Sequence, residues 1–487
     1  MLSYRFRDGV HVGSEESDCV ITTPYATRLN SIRHSLRFED PSDSFKALLR
    51  DLSTDGVERE QLSIKNNPLV NDPCRSELLA DLDNFYAKGL LLIEISGVNG
   101  AAICLKPVRS MLHRKTVPEG GFRIRFSRYV NVQPFNDGLR ISSPLSAGAV
   151  LVLDQRLFPI LVQLVSECDE EIIRKVLPDD LQEHCADVVS MLLSSGTAGI
   201  CDVQGVPDVD KEAVDAGWTA EDLEFHCHTR EQMIDLCSGQ SVPRPVDQER
   251  YPAKHQRIIL CSQSLPRPSR INNNLSFFQV IHSRKTIRSY QDKPVNVSVL
   301  ADFLWHSMHI REEIRCDPGL PRAYEGLLRP VASAGALHSI ELYLCINRCI
   351  GLQSGFYHYD SANHSLGKLN DLADPCLQML DLAAASTCRA PQSTSVSPGQ
   401  GQRPDVLVVM AARYGRNAGL HQQTGLSYAL ILKDVGSIYQ QLYLVATALG
   451  LAPCGLSFGS SELFEQVSGL SGCLECSVGE FMIGNPR

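Results

Sequence analysis

Apolar and polar positions change rhythm along the chain, and each rhythm predicts a different kind of element. Residues 4–32, YRFRDGVHVGSEESDCVITTPYATRLNSI, run in short apolar–polar stretches broken by turn formers, which predicts short strands. SFKALLRDLSTDGVEREQL (44–62) has helical spacing, and LLADLDNFYAKGLLLIEI (78–95) predicts a helix running into a strand. The order then recurs. Residues 124–153 predict strands, 157–177 (LFPILVQLVSECDEEIIRKVL) a helix, and 181–201 a second helix ending at a glycine. Between Val203 and Asn274 proline and polar residues prevent a packed core, apart from WTAEDLEFHCHTR (218–230), whose spacing allows a short docked helix. From Leu275 the pattern becomes mixed. A helix, an arginine-rich turn and a second helix after Pro294 precede two strands, ELYLCIN and DVLVVMAA, and a long buried helix ending at Gly450. RAPQSTSVSPGQGQRP (Arg389–Pro404) reads as a mobile excursion inside that last region.

Strands, a helix, then a helix closed by glycine describe a small winged-helix-like module used twice, at 1–105 and 120–205. A linker with a docked helix (206–274) and an α/β region (275–487) complete an α+β chain. Winged helices often bind DNA, but neither copy carries a helix rich in Lys and Arg. A peptide-binding or structural role is expected instead.

Composition narrows this further. The 487 residues carry a net charge of −10, which argues against nucleic acid and anionic membranes as partners. Hydrophobic and charged contents of 43% and 21% are those of a globular chain. No run of about 18 apolar residues predicts a membrane span, and the start MLSYRFRDGVHV lacks the apolar core of a signal peptide. Seventeen scattered cysteines fit a reducing cytoplasm. Cys473-x-x-Cys476 and His226-Cys227-His228 lack the second paired cluster that structural zinc needs, so no metal is expected.

Several motifs in the region from Leu275 carry a resemblance. SRKTIRSY is similar to the R-x-[ST]-x-R-x-[FY] signature that opens nitroreductase-superfamily domains. RPVASAGALHSIELYLCIN, GFYHYD, YALILKDVGSIYQQLYLVATALGLAPC and CSVGEFMIGNPR resemble the SagB-type, or azoline, dehydrogenase branch, in the family's order. The N-terminal half with DLEFHCHTR resembles the long form of that family, related to cyanobactin oxidases. The resemblance implies FMN, a homodimer with FMN in its interface, and oxidation of thiazolines and oxazolines to azoles in a ribosomally made peptide. It also implies that the N-terminal modules clamp the leader region of the precursor peptide, alongside other peptide-modifying enzymes.

FMN carries a phosphate dianion, so its site needs fixed cations and donors. Arg284, Lys285, Thr286 and Arg288 place cations and a hydroxyl in one short turn, although such a cluster alone also reads as a solvated basic face. By resemblance, Arg487 reaches the phosphate, Ser333, Ala334 and Gly335 let the backbone approach the flavin ring, and Gly455 and Gly459 lie near the flavin edge. Three departures stand out. His338-Ser339 replaces Tyr-Pro, Ser457-Phe458 interrupts a glycine run, and Gln422-Gln423 occupies the place of the family's Lys-Tyr base. Glutamine exchanges no proton at ordinary pH, which leaves Tyr414, through an offset alignment with Arg413, and His421 as candidate bases. Three readings stay open: an azoline dehydrogenase with a substitute base, another flavin-dependent oxidation or hydroxylation on a carrier peptide, and an inactive partner that recruits the peptide.

Overall fold

The computed structural model describes residues 1–6, 10–15, 18–23, 34–38, 43–54, 56–58, 82, 85, 90–107, 121–230, 252, 254, 257–268, 275–314, 325–385, 402–418 and 425–487. The chain divides into two units, Met1–Ser241 and Val242–Arg487, each with its own sheet.

In the first unit the alternation near the start becomes β1 (Leu2–Phe6), β2 (His11–Glu15), β3 (Asp18–Thr23) and β4 (His34–Phe38), followed by α1 (Asp43–Ser53) and β5 (Val57–Glu58). β6 (Leu91–Gly97) and β7 (Gly100–Pro107) pair as a hairpin, and β8 (Ile124–Phe126), β9 (Asn131–Phe135), β10 (Gly138–Ser142) and β11 (Gly148–Val152) follow. The large sheet runs β5-β1-β6-β7-β11-β10-β9. Strands from both N-terminal stretches thus share one sheet, over one apolar core that reaches from Leu2 to Ala198.

Residues 157–177 differ from the single helix expected of them. They form α2 (Phe158–Gln163) and α3 (Glu170–Val176), separated by a segment in which Cys168 pairs with Ile124, and Asp169 N-caps the second helix, its carboxylate accepting from the Ile172 amide at 2.9 Å. α4 (Cys185–Ser195) ends at Gly196 with φ of 79°, a left-handed C-terminus that glycine adopts without steric cost. β12 (Ala198–Ile200) and α5 (Lys211–Asp215) lead to α6 (Ala220–Arg230), whose Leu223 and Cys227 pack with Tyr129 and Ala213.

The second unit begins with β13 (Cys261–Ser264). α7 (Phe277–Ser283) starts with a capping box between Ser276 and Gln279, and α8 (Val297–Met308) is N-capped by Asn296. β14 (Glu312–Ile314) and β15 (Gly326–Leu328) form a small hairpin-like pair. β16 (Ile340–Ile346), β17 (Gly355–Asp360), β18 (Ser365–Asn370) and α9 (Asp374–Ala385) come next. β19 (Val406–Ala412), α10 (Tyr414–Ala418), α11 (Leu426–Ala448), β20 (Ala452–Leu456), α12 (Ser461–Ser468) and β21 (Cys476–Gly484) complete it.

Its seven-stranded sheet, β13-β18-β17-β16-β19-β21-β20, is antiparallel throughout and covered on both faces. Leu342, Leu344, Val408 and Met410 pack under α8 and α11, while Tyr343, Cys345, Leu407 and Val409 pack under α9 and α12. Every residue of β16 and β19 is buried, which explains why ELYLCIN and DVLVVMAA read as continuous apolar runs. Each Leu or Phe so buried contributes about 1.5–3 kcal/mol. The excursion expected at Arg389–Pro404 lies outside the described residues up to Gly401. Among the described residues, no helix is long and apolar enough to cross a membrane.

Candidate flavin site

The arginine-rich turn follows directly from the end of α7. The Arg284 amide closes that helix on the Val280 carbonyl at 3.0 Å, and the chain then extends along the sheet edge. The Ile287 amide donates to the Pro453 carbonyl at 2.9 Å, which docks the turn on β20. On its other side the Gln291 amide donates to Asn485 at 2.9 Å, and the Arg487 amide to Ser289 at 3.4 Å. Backbone pairing thus carries Arg487 to the turn that holds Arg284, Lys285, Thr286 and Arg288.

Tyr443, on α11, ties this group together. The Arg284 guanidinium sits over its ring at 5.2 Å, Thr286 Oγ1 lies 3.0 Å from its hydroxyl, and the Gly455 amide donates to the same oxygen at 2.8 Å. Burial raises the pKa of the Cys454 thiol, and the Arg288 charge opposes that rise. Lys285 and Arg288 are exposed and Arg284 is half-buried. Among the described residues, no carboxylate forms a salt bridge with any of these cations or with Arg487. Unpaired guanidiniums beside a hydroxyl suit a phosphate dianion, which accepts several charge-assisted hydrogen bonds at once.

Ser333, Ala334 and Gly335 form a second group. The Ser333 hydroxyl donates to Asp434 at 2.5 Å, and the Ala334 amide donates to the other carboxylate oxygen at 2.9 Å. Burial raises the pKa of Asp434, and these two bonds lower it in turn. The segment beyond is strained: Gly335, Ala336 and His338 have φ of 62°, 54° and 45°. For a residue with a Cβ such a backbone costs about 1–2 kcal/mol and survives only where its surroundings enforce it. Asp434 enforces one end, and the Arg416 Nε, donating to the Leu337 carbonyl at 2.8 Å, enforces the other.

Asp434 and Tyr443 stand nine residues apart on α11, about two and a half turns, which sets them on opposite flanks of the helix. The two groups of expected cofactor residues therefore meet α11 on opposite flanks.

The remaining expected residues are scattered. A Cβ on Gly455 would touch Tyr439 at 3.1 Å, so its glycine lets β20 lie against α11. Gly459 instead faces Glu480, whose carboxyl carbon lies 2.0 Å from where a Cβ would stand. Glu480 is buried and its Oε1 has no hydrogen-bond partner among the described residues. Burial pushes its pKa up to about 6, against a smaller pull from the Ser477 hydroxyl. Arg413 is also buried, bound to Glu341 at 3.2 Å and to the Pro252 carbonyl, while Glu341 lies 3.4 Å from His358. Tyr414 is 37% exposed at the start of α10. His421, Gln422 and Gln423 lie outside the described residues. His338, the departure from Tyr-Pro, is held neutral: burial first, then the Arg329 and Arg416 charges, lower its pKa to about 3.

Sequence reasoning missed Tyr443, Asp434 and Glu480. The first two sit in a helix that read as buried core. Glu480 carried a usable signal, a lone carboxylate in an otherwise apolar strand.

Residues 281–484 match the Nitroreductase family. A Methanocaldococcus jannaschii protein assigned to the nitroreductases is 25% identical over 187 residues, covering 38% of this chain and 81% of that protein. A Ralstonia eutropha crystal structure assigned as a nitroreductase is similar at 17% identity with a TM-score of 0.34, covering 51% of this chain and 95% of its own. The E. coli microcin synthetase McbBCD complex with truncated pro-MccB17 is similar at 19% identity with a TM-score of 0.32, covering 51% and 84%. The C-terminal region carries a nitroreductase-family domain.

Proposed function

We propose that this chain is an FMN-dependent dehydrogenase that oxidises azoline rings to azoles in a ribosomally made precursor peptide. One observation carries the flavin part: Arg284, Thr286, Arg288 and Arg487 share one turn and have no carboxylate partner among the described residues. The peptide part rests on the motifs of 275–487 and on the two N-terminal stretches, 1–105 and 120–205, read as a leader clamp.

Bound FMN would take up hydride from the ring carbon next to Cα. The chain must hold the peptide and receive the Cα proton. Arg413 cannot receive it, because a guanidinium stays protonated and this one is paired with Glu341. Tyr414, partly exposed one residue on, is the described candidate, and His421 is the other.

The opposite placement of Asp434 and Tyr443 supports a homodimer, in which one copy brings its Ser333–Gly335 segment to the other's arginine turn. Phe277, Phe278 and Ile281 on α7 are 65%, 68% and 37% exposed and offer an apolar surface for that second copy. The reading places the chain in the cytoplasm beside other peptide-modifying enzymes.

Gln422-Gln423 favours a second reading, a different flavin-dependent oxidation or hydroxylation on a carrier peptide. Mass spectrometry of an azoline-bearing precursor peptide, treated with and without the protein, separates the two. Dehydrogenation removes about 2 Da per ring, and oxygen insertion adds about 16 Da. An unchanged mass with purified yellow protein would refute both readings and leave a recruiting partner.

A further inference from the structure

We infer that Tyr443 is a positioning residue that turns the Thr286 hydroxyl into a hydrogen-bond donor for a phosphomonoester held by the arginine turn. The inference rests on reading that turn as the FMN phosphate site, and it adds a residue and a direction to it.

The argument comes from the polarity of three groups. A backbone amide can only donate, so at 2.8 Å the Gly455 N–H gives its hydrogen to Tyr443 Oη. The phenol then has one hydrogen of its own to place. Among the described residues the acceptor within reach is Thr286 Oγ1, at 3.0 Å. With Thr286 accepting there, its own hydrogen points away from Tyr443. Arg284 sits over the face of the same phenol at 5.2 Å, and a cation in that position is held by the ring's quadrupole. One side chain therefore orients a neutral donor and a cation together. A phosphate monoester needs both, because its oxygens accept only and carry charge.

The relay also explains why the Gly455 amide is drawn towards α11. A side chain at Gly455 would press on Tyr439 and Tyr443 at 3.1–3.4 Å and disturb the bond that starts the relay.

The test compares FMN with riboflavin, which lacks the phosphate, by fluorescence titration of the flavin-free full chain. The wild-type chain should prefer FMN. Tyr443→Phe keeps the ring under Arg284 but removes the relay and the acceptor of the Gly455 amide, so the melting temperature should fall, and the preference for FMN should drop roughly tenfold while riboflavin affinity stays unchanged. Thr286→Val should act in the same way, and Thr286→Ser should restore the preference. An unchanged preference in Tyr443→Phe would overturn the inference, as would a parallel loss of riboflavin affinity. A wild-type chain with no preference for FMN would overturn the phosphate site itself, and this inference with it.

Discussion

Replacing Glu480 by Gln should stabilise the protein at neutral pH by an amount that fades as the solution is acidified. The Glu480 carboxyl is 5% exposed, and burial raises its pKa from 4.5 to about 6. A native carboxyl with a raised pKa holds its proton more tightly than the unfolded chain does. Below pH 4.5 both states are protonated and burial costs nothing through this group. Between 4.5 and about 6 the unfolded chain ionises first, and stability falls as pH rises. Above that window the full cost applies. A difference of 1.5 units at 1.36 kcal/mol each gives about 2 kcal/mol. Glutamine has the same shape and no proton to exchange, so the variant escapes this term. Its amide also changes the local hydrogen bonding, which adds a constant offset. The informative quantity is therefore the pH dependence of the difference between the two proteins. Urea unfolding of both, at intervals from about pH 4.5 to 7.5 and with flavin saturating in each, measures it. The difference should grow by about 2 kcal/mol in favour of the variant across that range. A flat difference, or one that grows the other way, would refute the claim that Glu480 is ionised against the cost of its burial.

Two further outcomes follow from the same region and from the strained loop. Gly459→Ala puts a Cβ about where the Glu480 carboxyl lies, and should cost about 1–3 kcal/mol in urea unfolding. In a Glu480→Ala background that cost should largely vanish, and equal costs in both backgrounds would show that the clash is elsewhere. His338, its pKa lowered to about 3 by burial and two arginines, should show no change in ring carbon–proton NMR shifts between about pH 8 and pH 5. A ring that titrates near its ordinary 6.5 would mean that Arg329 and Arg416 do not surround it as described.

Local pattern made much of the fold legible. The continuous apolar run in DVLVVMAA and the helical spacing of 434–449 survive into β19 and α11 because each element buries the faces its own sequence makes apolar. Where a distant pairing could stop a helix, pattern was a weaker guide. Residues 157–177 divide because Cys168 pairs with Ile124 across the chain and Asp169 then starts a new helix, its carboxylate accepting from the Ile172 amide. The expected cofactor residues divide the same way. Arg284, Thr286 and Arg288 were legible because five consecutive positions bring them together without help from the rest of the chain. Tyr443, 157 positions from Thr286, and Asp434, 101 from Ser333, could not be assigned partners, since nothing local relates them.

The sequence by itself determined the mixed α/β character of 275–487, its cation-rich turn and its departures from the family loop. All of these are properties of neighbouring residues. Only the tertiary structure decided which groups the turn faces, that the two sets of expected cofactor residues stand on opposite flanks of α11, and that Glu480 ends buried against Gly459. The physical reason is range. Strand and helix periodicity arise from steric and hydrogen-bond rules over a few residues, whereas a site is assembled by backbone pairings such as Ile287 to Pro453, between segments the chain separates widely.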